Sequence, residues 1–216
     1  MFVYKYLNNK YLQAFKENGS VHINTLYNLW SEHEKICDRW EGRRRLTVTA
    51  KKKPLIFSGQ EFHQVVPKIK SNKPNIEIHL EKGTSITQNQ EVTNAFVFCT
   101  SLKWDYDLYK NFGYDAHYKI VNLPLFAEIL FEQINENKVL RCYKVGKVKY
   151  SDKKITLSDK NEILGRNIHD FFEVCFTKPK KFRNEKECRI VFVPWFSKEI
   201  KPFTLNCPKL RRYCEF

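Results

Sequence analysis

Ala95 to Cys99 reads AFVFC, a nearly unbroken apolar run that ends in Thr100 and Ser101. A run of that length, rich in β-branched and aromatic residues, predicts a strand buried on both faces. Such a strand needs neighbours on both edges and cover above and below, so the chain must build a layered sheet around it. Other segments supply the neighbours. Phe2 to Leu7, Val21 to Ile23, Leu46 to Thr49, Leu55 to Ser58, Asn75 to Leu80, His117 to Val121, Val139 to Tyr150 and Phe203 to Leu205 all read as strands. A turn at Lys82-Gly83-Thr84 predicts a hairpin between the Ile76/Ile78/Leu80 strand and the next run. Gly146 reads as a bulge.

Helices are fewer. Asn8 or Asn9 can cap a helix through Asn18, with Gly19 just past its end. Leu26 to Cys37 has helical spacing, Asp105 to Phe112 stops at Gly113, and Pro124 opens a helix carrying Leu125, Phe126, Ile129 and Leu130. Asn167 to Phe176 reads as a short helix. The expected fold class is α+β: a strand-rich mixed sheet core with helices flanking the N-terminal half. A length of 216 residues, without repeat or linker, predicts one domain over 1–216.

The second informative stretch is Phe182-Arg183-Asn184-Glu185-Lys186-Glu187-Cys188-Arg189, which runs into Ile190-Val191-Phe192-Val193. Side chains two apart on a strand share a face, so Glu185 and Glu187 are expected to project together from one sheet edge. Paired carboxylates there suit the stabilisation of a developing cation or the positioning of a sugar hydroxyl.

The formal charge is +14, which favours an anionic partner: nucleic acid, a nucleotide or an acidic protein. Seven cysteines form no C-x-x-C pair, and neither they nor the six histidines show zinc-ligand spacing. No stretch reaches the roughly 20 apolar residues that span a bilayer, and the N-terminus has no signal-peptide pattern. The expected compartment is the cytoplasm, with reduced thiols and no membrane contact. There is no Gly-rich phosphate loop, G-x-S-x-G or H-E-x-x-H, so kinases, common hydrolases and zinc proteases have no foothold.

Tyr4-Lys5-Tyr6 on the first strand, Cys99-Thr100-Ser101 ending the buried strand and Glu185-x-Glu187 opening another occur in that order. This order resembles the ADP-ribosyltransferase fold, whose toxin-like branch carries Arg, then Ser-Thr-Ser, then Gln/Glu-x-Glu on successive core strands. The C-terminal run is also similar to a group of uncharacterised bacterial domains with aromatic or basic residues ahead of Glu-x-Glu-x-Arg. The resemblance implies an NAD-consuming ADP-ribosyltransferase, or an NAD glycohydrolase, acting as a bacterial toxin or phage-defence effector. It implies a nucleic-acid or protein acceptor and allows an inhibitor or antitoxin partner. Glu187 would hold the nicotinamide-ribose hydroxyl and favour the oxocarbenium-like state, and Glu185 would position or activate the acceptor. Tyr4, Lys5, Tyr6, Thr100 and Ser101 would bind NAD. Lys5 stands where the family has Arg, and Cys99 replaces the first Ser. Lysine holds phosphate as a point charge without the bidentate fork of arginine.

A further polar cluster contains Asp38, Arg39 and Glu41, followed by Arg43 and Arg44; with Lys181 and Arg183 it is the expected acceptor-binding surface. Glu34, Asp38 and Glu41 leave open a metal-dependent nuclease, and the basic clusters leave open a non-enzymatic nucleic-acid-binding protein.

Overall fold

The structure is a computed structural model that describes residues 1–30, 41–58, 77–152, 154–158, 171–196 and 199–216. The predicted helix from Leu26 to Cys37 falls largely outside these residues, as do Asn75, Ile76 and the start of the predicted Asn167 helix. The chain is a strand-rich α+β protein whose sheets are mostly antiparallel and whose helices are few. Among the described residues no helix is long and apolar enough to cross a membrane. It divides into two compact units: 1–42, 93–151 and 175–216 form one, and 43–92 with 152–174 form the other.

The first unit is built on β1 (Val3–Leu7), β2 (Ser20–Thr25), β7 (Phe96–Ser101), β8 (Ala116–Ile120), β9 (Leu140–Lys147), β13 (Glu187–Pro194), β14 (Phe203–Asn206) and β15 (Cys214–Glu215). The apolar run becomes β7, the hub of this sheet. Strand β13 pairs along the whole of one edge, from Glu187 opposite Ser101 to Phe192 opposite Phe96. The other edge is shared: β2 reaches only Phe96 and Val97, and β1 only Ser101. Between those contacts β1 and β2 splay apart, leaving Phe98, Cys99 and Thr100 facing a fork in the sheet.

Helix α1 (Asn9–Asn18) joins the two arms of the fork. Its buried Leu12 and Phe15 sit on one face, and it ends at Gly19 in the left-handed region, φ 65°, as its sequence requires. Asn8 takes the N-cap position but makes no side-chain cap bond. Asp115 does that work instead, accepting from the Asn9 N–H at 2.5 Å. The short helix α2 (Tyr106–Asn111) is capped by Asp105, which accepts from Asp107 and Leu108. Helix α3 (Leu123–Asn135), opened by Pro124, lays Phe126, Ala127, Leu130 and Ile134 on the sheet. With Val3, Phe96, Phe98, Tyr118, Ile120, Cys188, Ile190 and Phe192 these fill the main core.

Sheet alternation then divides the polar residues of this unit. Lys5 and Thr100 share the core face with Phe98. Tyr4, Cys99, Ser101, Glu187 and Arg189 occupy the opposite face. Gly146 is no bulge: it opposes Arg189 in register, and the register shift lies at Val193/Pro194. A methyl group on Gly146 would come within 3.1 Å of the Phe176 ring, so the glycine serves packing.

The second unit contains β3 (Arg43–Thr49), β4 (Leu55–Ser58), β5 (Glu77–Leu80), β6 (Ser85–Glu91) and β11 (Lys154–Leu157). Its core is Leu46, Val48, Ala50, Leu55, Phe57, Leu80 and Leu157. The predicted Gly83 turn is present, with φ 88°, but it does not close a hairpin. Strand β5 pairs with β4, and β6 with β3, so each strand finds its partner upstream rather than across the turn.

Candidate active site

At the mouth of β13 the sequence alternates Glu187, Cys188, Arg189, and the pleat turns the two charged residues to one face. Arg189 is 1% exposed and all five of its guanidinium protons have partners. Nε donates to Glu187 Oε1 at 2.5 Å, and Nη2 to Glu187 Oε2 at 3.0 Å. Nη1 and Nη2 grip the two oxygens of Glu41 at 2.5 and 2.9 Å. Nη1 also donates to the Cys175 carbonyl at 2.7 Å.

On the far side of Glu187 stands Lys178, from the short strand β12 (Thr177–Lys178), itself paired in parallel with β10 (Lys149–Tyr150). Its ammonium lies 2.5 Å from Glu185 Oε2 and 3.2 Å from Glu187 Oε2, against the Phe182 ring. The result is a row of alternating charge: Glu41, Arg189, Glu187, Lys178, Glu185. Burial of this kind is tolerable only because every charge has an opposite neighbour and its hydrogen bonds are filled.

Glu185 and Glu187 do meet, but not through strand alternation. Glu185 ends a 3₁₀ turn over Lys180–Glu185, and Lys186 adopts a left-handed conformation, φ 46°, before the strand begins. Their carboxylates converge because both bind Lys178. The expectation of two carboxylates side by side on one strand is therefore corrected by a turn.

The two carboxyls have been driven apart in acidity. Burial alone would raise both. For Glu187, Arg189 and Lys178 together override burial and hold the carboxyl well below the usual carboxylate range. For Glu185, burial wins over Lys178, and the repulsion of ionised Glu187 adds to it, so its pKa rises to about 7. One carboxylate is thus permanently charged and the other exchanges its proton near neutrality, the division of labour that acid–base sites use. Lys178 is held charged: burial opposes the charge, but Glu187 and Glu185 outweigh it. The Cys99 thiol is pushed up by burial and then by the Glu187 charge, so it stays protonated. Tyr150, whose oxygen accepts from the Glu187 N–H at 2.7 Å, is raised by burial to about 12.

The fork beside β7 opens into a cavity of about 1000 Å³. Its wall contains Tyr4, Lys5, Tyr6, Thr100, Ser101, Glu185 and Glu187, so all seven of the residues expected to hold NAD or do chemistry border one space. Lys5 and Thr100 reach it from one face of the sheet and the carboxylates from the other, which only a split sheet permits. Lys5 spans the gap, its ammonium 4.6 Å from the Phe98 ring centre and 2.9 Å from the Cys99 carbonyl. Thr100 Oγ1 donates to the Cys188 carbonyl at 2.8 Å, and Ser101 Oγ lies 2.9 Å from the carbonyls of Glu185 and Lys103. These hydroxyls pin the lead-in to β13 and so set the position of Glu187. Tyr6 is anchored likewise, donating to the Lys103 carbonyl and accepting from Asp105 N–H.

Glu41, Arg43 and Arg44, expected on the acceptor surface, are held in ion pairs. Asp38 and Arg39 lie outside the described residues. Glu41 is 1% exposed, with both oxygens bonded to Arg189, the same oxygens that a metal-dependent nuclease would need as ligands. Arg43 pairs with Glu91 and the buried Arg44 with Gln90 and Glu173, all within the second unit. Lys181 and Arg183 are exposed on the 3₁₀ turn and do not border the cavity. Among the described residues, no group of three or more His, Cys, Asp or Glu side chains is placed to hold a metal ion.

Sequence reasoning did not single out Arg189, Lys178 or Tyr150 as site residues. For Arg189 a signal existed, since Glu187 and Arg189 are two apart on one strand; for Lys178 and Tyr150 no local pattern marks them. Compared with known proteins, the chain matches no family model, no curated protein and no solved structure, so its function has to be argued from this geometry.

Proposed function

We propose that this protein is an ADP-ribosyltransferase-like enzyme that cleaves NAD at the nicotinamide–ribose bond and transfers ADP-ribose to a macromolecular acceptor. The observation that carries the reading is the forked sheet: a cavity with Lys5 at its floor and a permanently ionised Glu187 beside a titrating Glu185 on its wall. A dinucleotide fits a cavity of this size, which lies at the upper end of those that bind small ligands. In this reading Lys5 faces the pyrophosphate as a point charge and Tyr4 offers a ring for stacking.

Glu187 accepts a ribose hydroxyl and stabilises positive charge as the C–N bond breaks and its electron pair leaves with nicotinamide. The oxygens of Glu187 already take Arg189, at 2.5 and 3.0 Å, and Lys178, at 3.2 Å; the longer Lys178 contact is the one a ribose hydroxyl replaces. The acceptor oxygen or nitrogen then bonds the anomeric carbon, and its proton passes to Glu185. Water in place of the acceptor gives NAD hydrolysis by the same steps.

Glu187→Gln preserves shape but removes the charge. Nicotinamide release from NAD by the purified protein is expected to fall to background in this variant, with the circular-dichroism spectrum unchanged. Equal release by the variant and the parent protein overturns the reading.

A further inference from the structure

The face of the sheet that carries Glu187 continues across β7 and β1 to β8 as a surface of aromatic rings. One cross-strand row reads Glu187, Ser101, Tyr4, Lys119. Strands lie about 4.8 Å apart, so the Tyr4 backbone is about 10 Å from that of Glu187. Beyond it His117 forms the centre of an array: Trp104 at 6.0 Å between ring centroids, Tyr4 at 6.3 Å and Tyr109 at 6.4 Å. Tyr106 stacks on Tyr109 at 6.2 Å and 25°. Trp104 is 44% exposed and Tyr106 57%. A large indole and a phenol held at the surface give no folding benefit that burial would not exceed.

Two kinds of occupant suit exposed rings: an apolar protein surface or a planar base. The rings here are Trp, Tyr and His, amphipathic and interleaved with Lys103 and Lys119, whose ammonium groups sit in surface ion pairs with Asp105 and Glu215, exposed pairs of a kind that holds a cation only weakly. The chain as a whole carries +14, which attracts a polyanion over a long range. Aromatic rings that stack unpaired bases, with cations along the backbone path, are the recurring design of single-strand binding.

We infer that the Trp104–Tyr106–His117 surface stacks unpaired bases of a single-stranded nucleic acid and so presents an acceptor base or ribose to the Glu185–Glu187 pair. The base-binding claim stands on the aromatic surface alone; its role as acceptor site rests on the NAD-cleaving reading above. Duplex nucleic acid is excluded from such a surface because its bases are already stacked on one another.

The test is fluorescence anisotropy with labelled 12-nucleotide single-stranded DNA and RNA, and the corresponding duplex, with full-length protein and no NAD. Both single strands are expected to bind, or one of them where the 2′-hydroxyl is read, and the duplex to compete at least about tenfold less well. Trp104→Ala combined with Tyr106→Ala should weaken binding by about tenfold or more, while Trp104→Phe with Tyr106→Phe keeps most of it. Unchanged binding by the alanine pair, equal affinity for the duplex, or no oligonucleotide binding while NAD-derived label goes to protein in a lysate each overturn the inference. Nicotinamide release by the parent protein is measured separately. Binding without release would sink the NAD reading and leave the base-stacking surface, and release without binding would do the reverse.

Discussion

Arg189 decides whether Glu187 can be a working carboxylate. Removing it would leave Glu187 and Glu41 buried with one cation, Lys178, between them and Glu185. Breaking a buried pair from one side costs about 3–5 kcal/mol, so Arg189→Leu is expected to lower unfolding free energy by that order in a urea titration. A loss below about 1 kcal/mol would mean that the charge row is not a structural unit. Glu185 carries a different expectation. Its pKa of about 7 means that the ionised base form grows in as pH rises through neutrality. Transfer to acceptor should therefore rise with pH across a limb near 7, and that limb should vanish in Glu185→Gln. The effect on stability has the opposite sign to that of Glu187. A carboxyl raised on folding contributes stability that is complete below its unfolded value, near 4.5, and is lost as pH climbs to about 7. Glu187, depressed on folding, contributes stability above that unfolded value and loses it as the solution is acidified.

At the level of elements, the fork depends on how α1 carries the chain from β1 to β2. The turn at Gly19 has φ 65°, and its Cα packs so closely on the Cys207 carbonyl that an added Cβ would sit 2.2 Å from that oxygen. Neither backbone can yield easily, since Cys207 N–H also donates to the Gly19 carbonyl at 3.0 Å. Gly19→Ala combines a left-handed alanine with a backbone clash, and a destabilisation above about 1 kcal/mol is expected, read as a lower thermal midpoint. A parent-like midpoint would show that the arms of the fork are not set by this contact. The same scale shows where sequence patterns stop short. An unbroken apolar run located β7 and alternation located β13, and Asn8, Gly19, Pro124 and Gly113 bounded the helices. Alternation failed at Glu185 because Lys186 turns left-handed, which no apolar period encodes. The Gly83 turn was legible, but the pairing of β5 with β4 and of β6 with β3 was not, since each strand's partner lies upstream and pairing is not a local property.

For the whole molecule, the charge of +14 makes any binding of a polyanion depend on salt. Oligonucleotide binding is expected to fall by about tenfold or more between 50 and 200 mM salt, as neutralising two or three phosphates implies. An affinity flat across that range would argue for stacking without phosphate contact. Within the basic clusters, Arg44 is bound to Gln90 and Glu173, and Lys178 to the two carboxylates.

Along the chain alone the hub strand is already legible, as are most of the strands and helices beside it and the order of Lys5, Thr100 and Glu187. Those follow from apolar period, turn chemistry and capping, which act over a few residues. Tertiary packing was needed for β1 and β2 to share one edge of β7 and leave a fork, and for Glu41, 148 positions away, to join Arg189. It also decided that Lys178 would bridge Glu185 and Glu187. Ion pairs and split sheets are made by contacts between distant segments, and their geometry is fixed by packing and burial rather than by any pattern along the chain.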